Sequence, residues 1–448
     1  MTSDEARVQP MRAMTLWMAA CWLMGLLAPQ PGLMAAEPVT IHVAVTGPEA
    51  PDGSATRPFR TLAQAQAEAR KHTAEGVTVL VHAGTYEMAT PLAFGKEDAG
   101  RASAPVVYRS APGEEVRVVG GRVVEAWSPT APGSPVLVAD LAALGIQPGK
   151  KLPLLVCDGQ RMPLARYPNF DPQNPYGGGW AFADGTHQPM YTDIPNEVAN
   201  TLHYRARDAR TWARPREVEV FVFPRFNWWN NIVPIDSIDA DARIIRLRKD
   251  CSYAIRPGDR YYFRNAREEL DAPGEWYADT HDARLYFWPP QPGDERKVVV
   301  PVASSLVRFD PGAAFVTVRG FTLECVGGEA VAMNDATDCT LAACVVRNTG
   351  DYDHAAVAVQ GGQKNRVVGC DIHHVGSHGV YVRGGDVVSL TSSGHLVENC
   401  YIHHVGLEYK HGVGVSVEGV GTRVAHNLIH DGPRMGLLFH GNNLVFEF

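Results

Sequence analysis

Eleven of the seventeen histidines in this 448-residue chain fall between His354 and His440. Imidazoles relay protons, hold metals and hydrogen-bond polar ligands, and their neighbours decide which. No CxxC spacing accompanies them, and the CxxH spacing of Cys370 with His373 and Cys400 with His403 puts thiol and imidazole on opposite faces of one strand, so neither a zinc site nor a disulfide framework is indicated. His373, His403 and His430 recur at one position of a repeated segment, each followed by a corner residue, His374, His404 or Asp431. His378 and His411 each follow a turn and precede a strand-like run, GVYV or GVGVSV, where a groove wall would stand. His440 and Arg383 occupy matching outward positions after a strand, with Arg434 near by. Carboxylates supply the complementary chemistry, because hydrolysis of a glycosidic bond needs one acid for the leaving oxygen and one base or nucleophile. Asp351, Asp353, Glu408, Glu418 and Asp431 lie on turns or outward positions, and Asp353, Glu408 and Asp431 are the candidate catalytic acids. His378, His411, Arg434 and His440 are candidate substrate-binding residues, joined by Trp228 and Trp229 of FNWWNN, where an exposed indole would stack on a sugar ring. Each has a plain structural reading too: a hydrogen-bonded histidine ladder, solvated turn acids, indoles packed between domains. No cofactor is called for. The DYDH run from Asp351 to His354 offers oxygens to Ca²⁺ but lacks the spacing of a dedicated calcium loop.

The elements that position these residues repeat. GFTLECVG, ACVVRNTG, GCDIHHVG, NCYIHHVG and HNLIHDG align on Phe321, Cys344, Cys370, Cys400 and Asn427, at spacings of 23, 26, 30 and 27 residues. The residues two further on, Leu323, Val346, Ile372, Ile402 and Ile429, are all aliphatic, so the apolar period is two and these are strands with one interior face. Glu324, Arg347, His373, His403 and His430 then point outward. Units of this length without a helix exclude leucine-rich, ankyrin and tetratricopeptide repeats, and they are too short for propeller blades. The pattern predicts an all-β right-handed parallel β-helix, since parallel crossovers are almost always right-handed.

Around this solenoid the chain divides into four parts. Residues 1–36 read as a signal peptide, with Arg7 and Arg12 before an apolar run from Ala13 to Ala28 and a small-residue end at Ala35-Ala36. Residues 37–121 predict a capping helix over 58–72, started by Pro58 and apolar along Phe59, Leu62, Ala63 and Ala69, then first coils that include a strand over 77–86 ended by Gly84. Residues 122–300, rich in Trp and Pro, read as an inserted β-rich domain. Residues 301–448 are β-helix coils that stop at LVFEF without a capping element, which reads as a C-terminally incomplete solenoid. A formal net charge of -8 argues against nucleic acid as partner. A secreted or periplasmic monomer, free of the membrane once its signal is cleaved, is expected.

The segments DGSATRPFRTLAQAQAEAR and VTVLVHAGTY resemble the opening cap and first coil of pectate-lyase-like β-helix proteins. RMPLARYPNF at 161, NAREELDAPGEWYADTHDARLYFWPP at 265 and the coil GCDIHHVGSHGVYV are similar to glycoside hydrolase family 141 and its uncharacterised relatives. That resemblance implies an extracytoplasmic enzyme of plant-type polysaccharide degradation, with α-fucosidase and xylanase activities in the family. It also implies catalytic acids on later coils, in a stretch resembling DAGA followed by GRDW, and neither string occurs here. Three functions stay open: a glycosidase working by paired carboxylates, a polysaccharide lyase or uronate epimerase on the same architecture, and a non-catalytic glycan-binding or adhesin solenoid.

Overall fold

Alternate residues of each short strand are aliphatic, and stacking the strands in parallel register buries those residues in one column. The computed structural model describes residues 38–174 and 177–448, so the expected signal peptide lies outside the described residues. Three parallel sheets form the faces of a β-helix. The first face has nine strands, from Val39–Val43 to Val445–Glu447, and the second has seven, from Gly84–Glu87 to Leu428–His430. The third face, which matters most below, stacks Leu92–Phe94, Val307–Phe309, Val331–Asn334, Val357–Gln360, Val380–Gly384, Val415–Val420 and Leu437–Asn442. The interior is the predicted ladder: Phe321, Cys344, Cys370 and Cys400 stack beside Leu323, Val346, Ile372 and Ile402, none more than 2% exposed. All the cysteines of the described residues are free thiols, and they are buried.

Single residues in the left-handed region make the corners. Gly320, Ala343, Gly369, Asn399 and His426 turn the chain from first face to second, each with φ between 48° and 76°. Cys325, Asn348, His374, His404 and Asp431 end the second-face strands in the same conformation. L-residues pay for that conformation, and the repeated neighbours make up for it. Asn427 shows how: its Oδ1 accepts from Cys400 N at 2.8 Å and its Nδ2 donates to Val397 O at 3.0 Å, tying one coil to the next.

The N-terminal cap differs in detail from the expectation. Its helix is Leu62–Ala69, started by Thr61 in a reciprocal hydrogen-bonded cap with Gln64. Pro58 lies before the helix because Phe59 is drawn into a bridge with Val43. The buried side is Leu62, Ala65 and Ala69, while Ala63 faces solvent. Gly84 opens a second-face strand, Gly84–Glu87, rather than ending the strand Val77–Val81, and the chain turns at His82-Ala83 instead.

The inserted β-rich segment leaves the solenoid after the second-face strand Val116–Val119 and returns before the third-face strand Val307–Phe309. It therefore occupies one second-to-third turn, enlarged. Its strands pair antiparallel, with one core around Val220, Ile235, Tyr261 and Phe263 and another around Leu141, Trp276, Leu285 and Phe287. This placement lays it along the second-to-third turns of the later coils.

Candidate functional site

The inserted domain is fastened to those turns through buried polar groups. Glu408, on the turn between Tyr401–His403 and Val415–Val420, receives Arg161 Nη2 at 2.9 Å and Arg264 Nη1 at 2.6 Å, both from the insertion. Burial alone would raise its carboxyl, but the Arg264 and Arg161 charges outweigh burial and hold it down at about 2. Asn230 is fully buried beside it. Its Nδ2 donates to Glu408 O at 2.9 Å, its Oδ1 accepts from Lys410 N at 2.7 Å, and its carbonyl accepts from Tyr352 Oη at 2.7 Å. A backbone donor, a backbone acceptor and a side-chain hydroxyl thus converge on one asparagine, which fixes the insertion against two second-to-third turns that are two coils apart.

This docking encloses a cleft of about 1410 Å³ between insertion and solenoid. Glu219, Lys249 and Asp250 line its inserted-domain wall, Glu329, Asp353 and His354 its turn wall, and Arg308, Asn334 and Gln360 its third-face floor. Register extends that floor along the solenoid: Asn334 pairs with Gln360, Gln360 with Arg383, Arg383 with Glu418, and Glu418 with His440. A second outward column runs Ala332, Ala358, Tyr381, Ser416 and Leu438. Neighbours in such a column stand about 4.8 Å apart. Each of Arg383, Glu418 and His440 is followed by a glycine. Those three glycines are in register, and a Cβ on Gly419 would meet the Gly384 carbonyl. Glycine there keeps the polar column straight.

Aromatic rings connect the insertion to this column. Phe226 stacks on Trp228 at 4.6 Å and Trp228 contacts Trp229 at 5.9 Å. Trp229 meets His411 edge-on at 5.6 Å, His411 stacks with Tyr409 at 5.8 Å, and Tyr409 meets His378 edge-on at 6.0 Å. His378 lies nearly parallel to Tyr381 at 6.5 Å, so the track ends beside Arg383 and Glu418. Val413 N donates to His378 Nδ1 at 3.1 Å, which leaves Nε2 to carry the ring proton. Burial, then His411, pushes His378 down to about 4, so it is neutral in neutral solution. Burial raises the Tyr381 hydroxyl, and the Glu418 charge adds to the rise.

The candidate residues distribute as follows. His378, His411, Trp228 and Trp229 lie on the one aromatic track, Arg434 joins it through Nη1 donating to Trp228 O at 2.9 Å, and His440 continues the polar column. Asp353 is exposed on the cleft wall, Glu408 is held in the two-arginine clamp, and Asp431 is exposed beside His430 at 2.8 Å. The alternation rule did not single out Tyr352, Tyr409, Tyr381 or Asn230. Aligning the glycines of YVRG, SVEG and FHG would have placed Glu418 in one column with Arg383 and His440. Asp351, proposed for Ca²⁺, instead closes its own turn: Oδ1 accepts from Asp353 N at 2.9 Å and His354 N at 3.1 Å and meets His354 Nδ1 at 2.7 Å. Those oxygens do not form a calcium cage, and among the described residues no group of three acidic, histidine or cysteine side chains has metal-holding geometry.

The histidine row is a ladder on the second face. His373, His403 and His430 stack at 4.9 and 5.3 Å with planes within 6°, and His374 stacks on His404 at 4.9 Å. Across each rung Nδ1 meets Nδ1 at 2.7 Å, for His373 with His374 and for His403 with His404. One nitrogen of each such pair must donate and the other accept, which requires the accepting ring to be neutral.

The right handed beta helix region family matches residues 305–447, and the GH141 insertion domain family matches residues 255–290. No curated protein matches the chain. A solved structure described as "Glycoside hydrolase" superposes with a TM-score of 0.70 at 19% identity, covering 90% of this chain and 79% of that one. "The complex structure of XylC with xylose" superposes with a TM-score of 0.50 at 16% identity, covering 91% of this chain and 63% of that one. At these identities the likeness is one of fold. Among the described residues no helix is long and apolar enough to cross a membrane. With the coils and the inserted domain in agreement with both matches, the chain is a right-handed parallel β-helix protein whose residues 255–290 are similar to the GH141 insertion domain.

Proposed function

We propose that this protein is a polysaccharide-active glycoside hydrolase, exported from the cytoplasm, that takes an extended glycan along the third face of its β-helix. The observation that carries the reading is the continuous aromatic track from Trp228 to Tyr381, which ends at the polar column Gln360, Arg383, Glu418 and His440 beside the large cleft. Indole and phenol faces stack on the apolar faces of sugar rings, and the outward amide, guanidinium and carboxylate bond their hydroxyls. Hydrolysis needs two carboxyl groups, one protonating the glycosidic oxygen and the other attacking the anomeric carbon or activating water. Among the described residues Asp353 on the wall and Glu418 on the column stand outside ion pairs, and these two are assigned the roles. Glu408 is engaged by Arg161 and Arg264 and holds the wall in place. Fucosidase-like and xylanase-like substrates are the ones to try first.

The test is a panel of plant polysaccharides scored for binding by affinity electrophoresis and for release of reducing ends. Retarded migration that Trp228→Ala and Trp229→Ala abolish, with reducing ends lost in Asp353→Asn and Glu418→Gln, is expected. Unsaturated uronate absorbance in the product would show a lyase instead, and binding without release would show a non-catalytic glycan receptor.

A further inference from the structure

Between the strands Ala181–Phe182 and Thr201–His203 of the insertion, residues 183–200 form neither helix nor strand. A connection of that length inside a compact domain is ordinarily a binding element or a mobile segment. This one is gripped by two arginines. Arg256 donates Nη1 to Pro189 O at 2.8 Å and Nη2 to Thr192 O at 2.7 Å, and its Nε and Nη2 clasp the Glu197 carboxylate at 2.7 and 2.9 Å. Arg225 donates Nε to Met190 O and Nη2 to Asp193 Oδ1, both at 2.9 Å. One buried carboxylate sets both arginines: Asp259 Oδ2 accepts from Arg225 N at 2.7 Å and from Arg256 N at 2.8 Å.

The grip closes on either side of Tyr191, whose flanking carbonyls, Met190 O and Thr192 O, are both held, yet the tyrosine itself is 78% exposed. Burial therefore does little to fix this ring; its backbone is fixed for it. The ring meets Phe226 at 5.9 Å, and Phe226 stacks on Trp228 at 4.6 Å, so two exposed rings stand on either side of a half-buried one. Tyr191 thereby extends the aromatic track beyond Phe226. Arg225 joins strap to track, with its guanidinium over the Phe226 ring at 4.5 Å. Arg225 and Asn227, which flank Phe226, are both left-handed with φ of 52°, a conformation that costs L-residues energy and that collects at functional sites. A tyrosine offers a ring face and a hydroxyl to a sugar at low entropy cost, and one placed before the ligand arrives loses little more on binding.

We propose that Tyr191 is the outermost sugar-stacking position of the track, so that the protein binds a long glycan more tightly than a short one, with Arg225, Arg256 and Asp259 as its positioning residues. The inference rests on the glycan reading above and adds chain length to it.

The probe is a size-graded series of xylan fragments, replaced by fragments of the panel polysaccharide that retards the protein if xylan does not. Titration calorimetry on the whole chain is expected to show affinity rising with length until a fragment spans the track from Tyr381 to Tyr191, then levelling off. Tyr191→Ala weakens the long fragments by on the order of tenfold and leaves those too short to reach the strap unchanged, so the plateau comes at a shorter fragment. Trp229→Ala weakens short and long fragments alike. Asp259→Asn and Arg256→Gln, which keep the tyrosine but free its strap, reproduce the loss for long fragments only, whereas a purely structural role would weaken every length. Circular dichroism checks the fold of each variant, and the exposed Tyr191 can be replaced without loss of folding even if Asp259→Asn unfolds. A Tyr191→Ala variant that binds every length as the parent does, or that weakens all lengths equally, overturns the inference while leaving the groove a glycan site. Failure of the parent to bind xylan or any other polysaccharide of the panel overturns the glycan reading and this inference together.

Discussion

Replacing Glu408 with Gln removes one charge from the clamp between insertion and solenoid and leaves Arg161 and Arg264 facing an amide. The side chains of Arg161, Arg264 and Glu408 are 9%, 17% and 20% exposed, so solvent screens the pair little. The carboxyl falls from its ordinary 4.5 to about 2 in the folded protein. Each pH unit of such a drop corresponds to about 1.4 kcal/mol, so the ionised form contributes about 3 kcal/mol of stability in neutral solution. That agrees with the roughly 3–5 kcal/mol typically lost when one partner of a buried ion pair is removed. The sign follows from the direction: a folded-state value below the unfolded one gives stability that is complete above about 4.5 and lost as pH falls towards 2. Glu408→Gln, which resembles the protonated carboxyl, therefore destabilises by about 3 kcal/mol at neutral pH and by less than half of that near pH 3. Tryptophan fluorescence during urea unfolding reads this directly, because every tryptophan from Trp127 to Trp288 lies in the inserted segment. A penalty below about 1 kcal/mol in neutral solution, or one of equal size at both pH values, would refute the assignment of Glu408 as a charged clamp.

Asn230→Ala leaves Lys410 N and Glu408 O without their partners at the same interface. A loss of about 1–3 kcal/mol for each stranded group is expected, seen as an earlier fluorescence transition and faster proteolytic release of the insertion. The histidine ladder carries a separate acid sensitivity. Burial first, then neighbouring histidines, pushes His373 and His374 down to about 4 from 6.5, so the unfolded chain binds more protons than the folded one between those values. Stability is complete above 6.5 and falls as pH drops towards 4, with about two protons taken up on unfolding. His373→Gln with His374→Gln flattens the slope of urea midpoint against pH across that window, and an unchanged slope would show that these rings are protonated in the native state.

How far the residues alone reach differs between the solenoid and its site. The coil length, the inward ladder of Phe321, Cys344, Cys370 and Cys400, and the outward row of His373, His403 and His430 were all legible in sequence, because a side chain's face on a strand depends on parity within a few residues. The helix start was less legible. Pro58 carries the stronger local signal for a helix start, but Phe59 gains a bridge with Val43, 16 positions earlier, and Thr61 caps the helix instead. Glu418 was visible as an outward acid, yet its place between Arg383 and His440 emerges only once Gly384, Gly419 and Gly441 are in register.

The sequence by itself determined the β-helix, since each coil packs chiefly against its neighbours and its pattern of apolar alternation and corner residues is local. Only the tertiary structure decided what that scaffold presents. The chain positions joined by the Arg161–Glu408 and Arg264–Glu408 contacts lie 247 and 144 residues apart, and no periodicity encodes such pairings. Those contacts lay the inserted domain along one row of turns. They also convert Glu408 from a free turn acid into a clamp, and they bring Trp228 and Trp229 to the edge of the third-face groove.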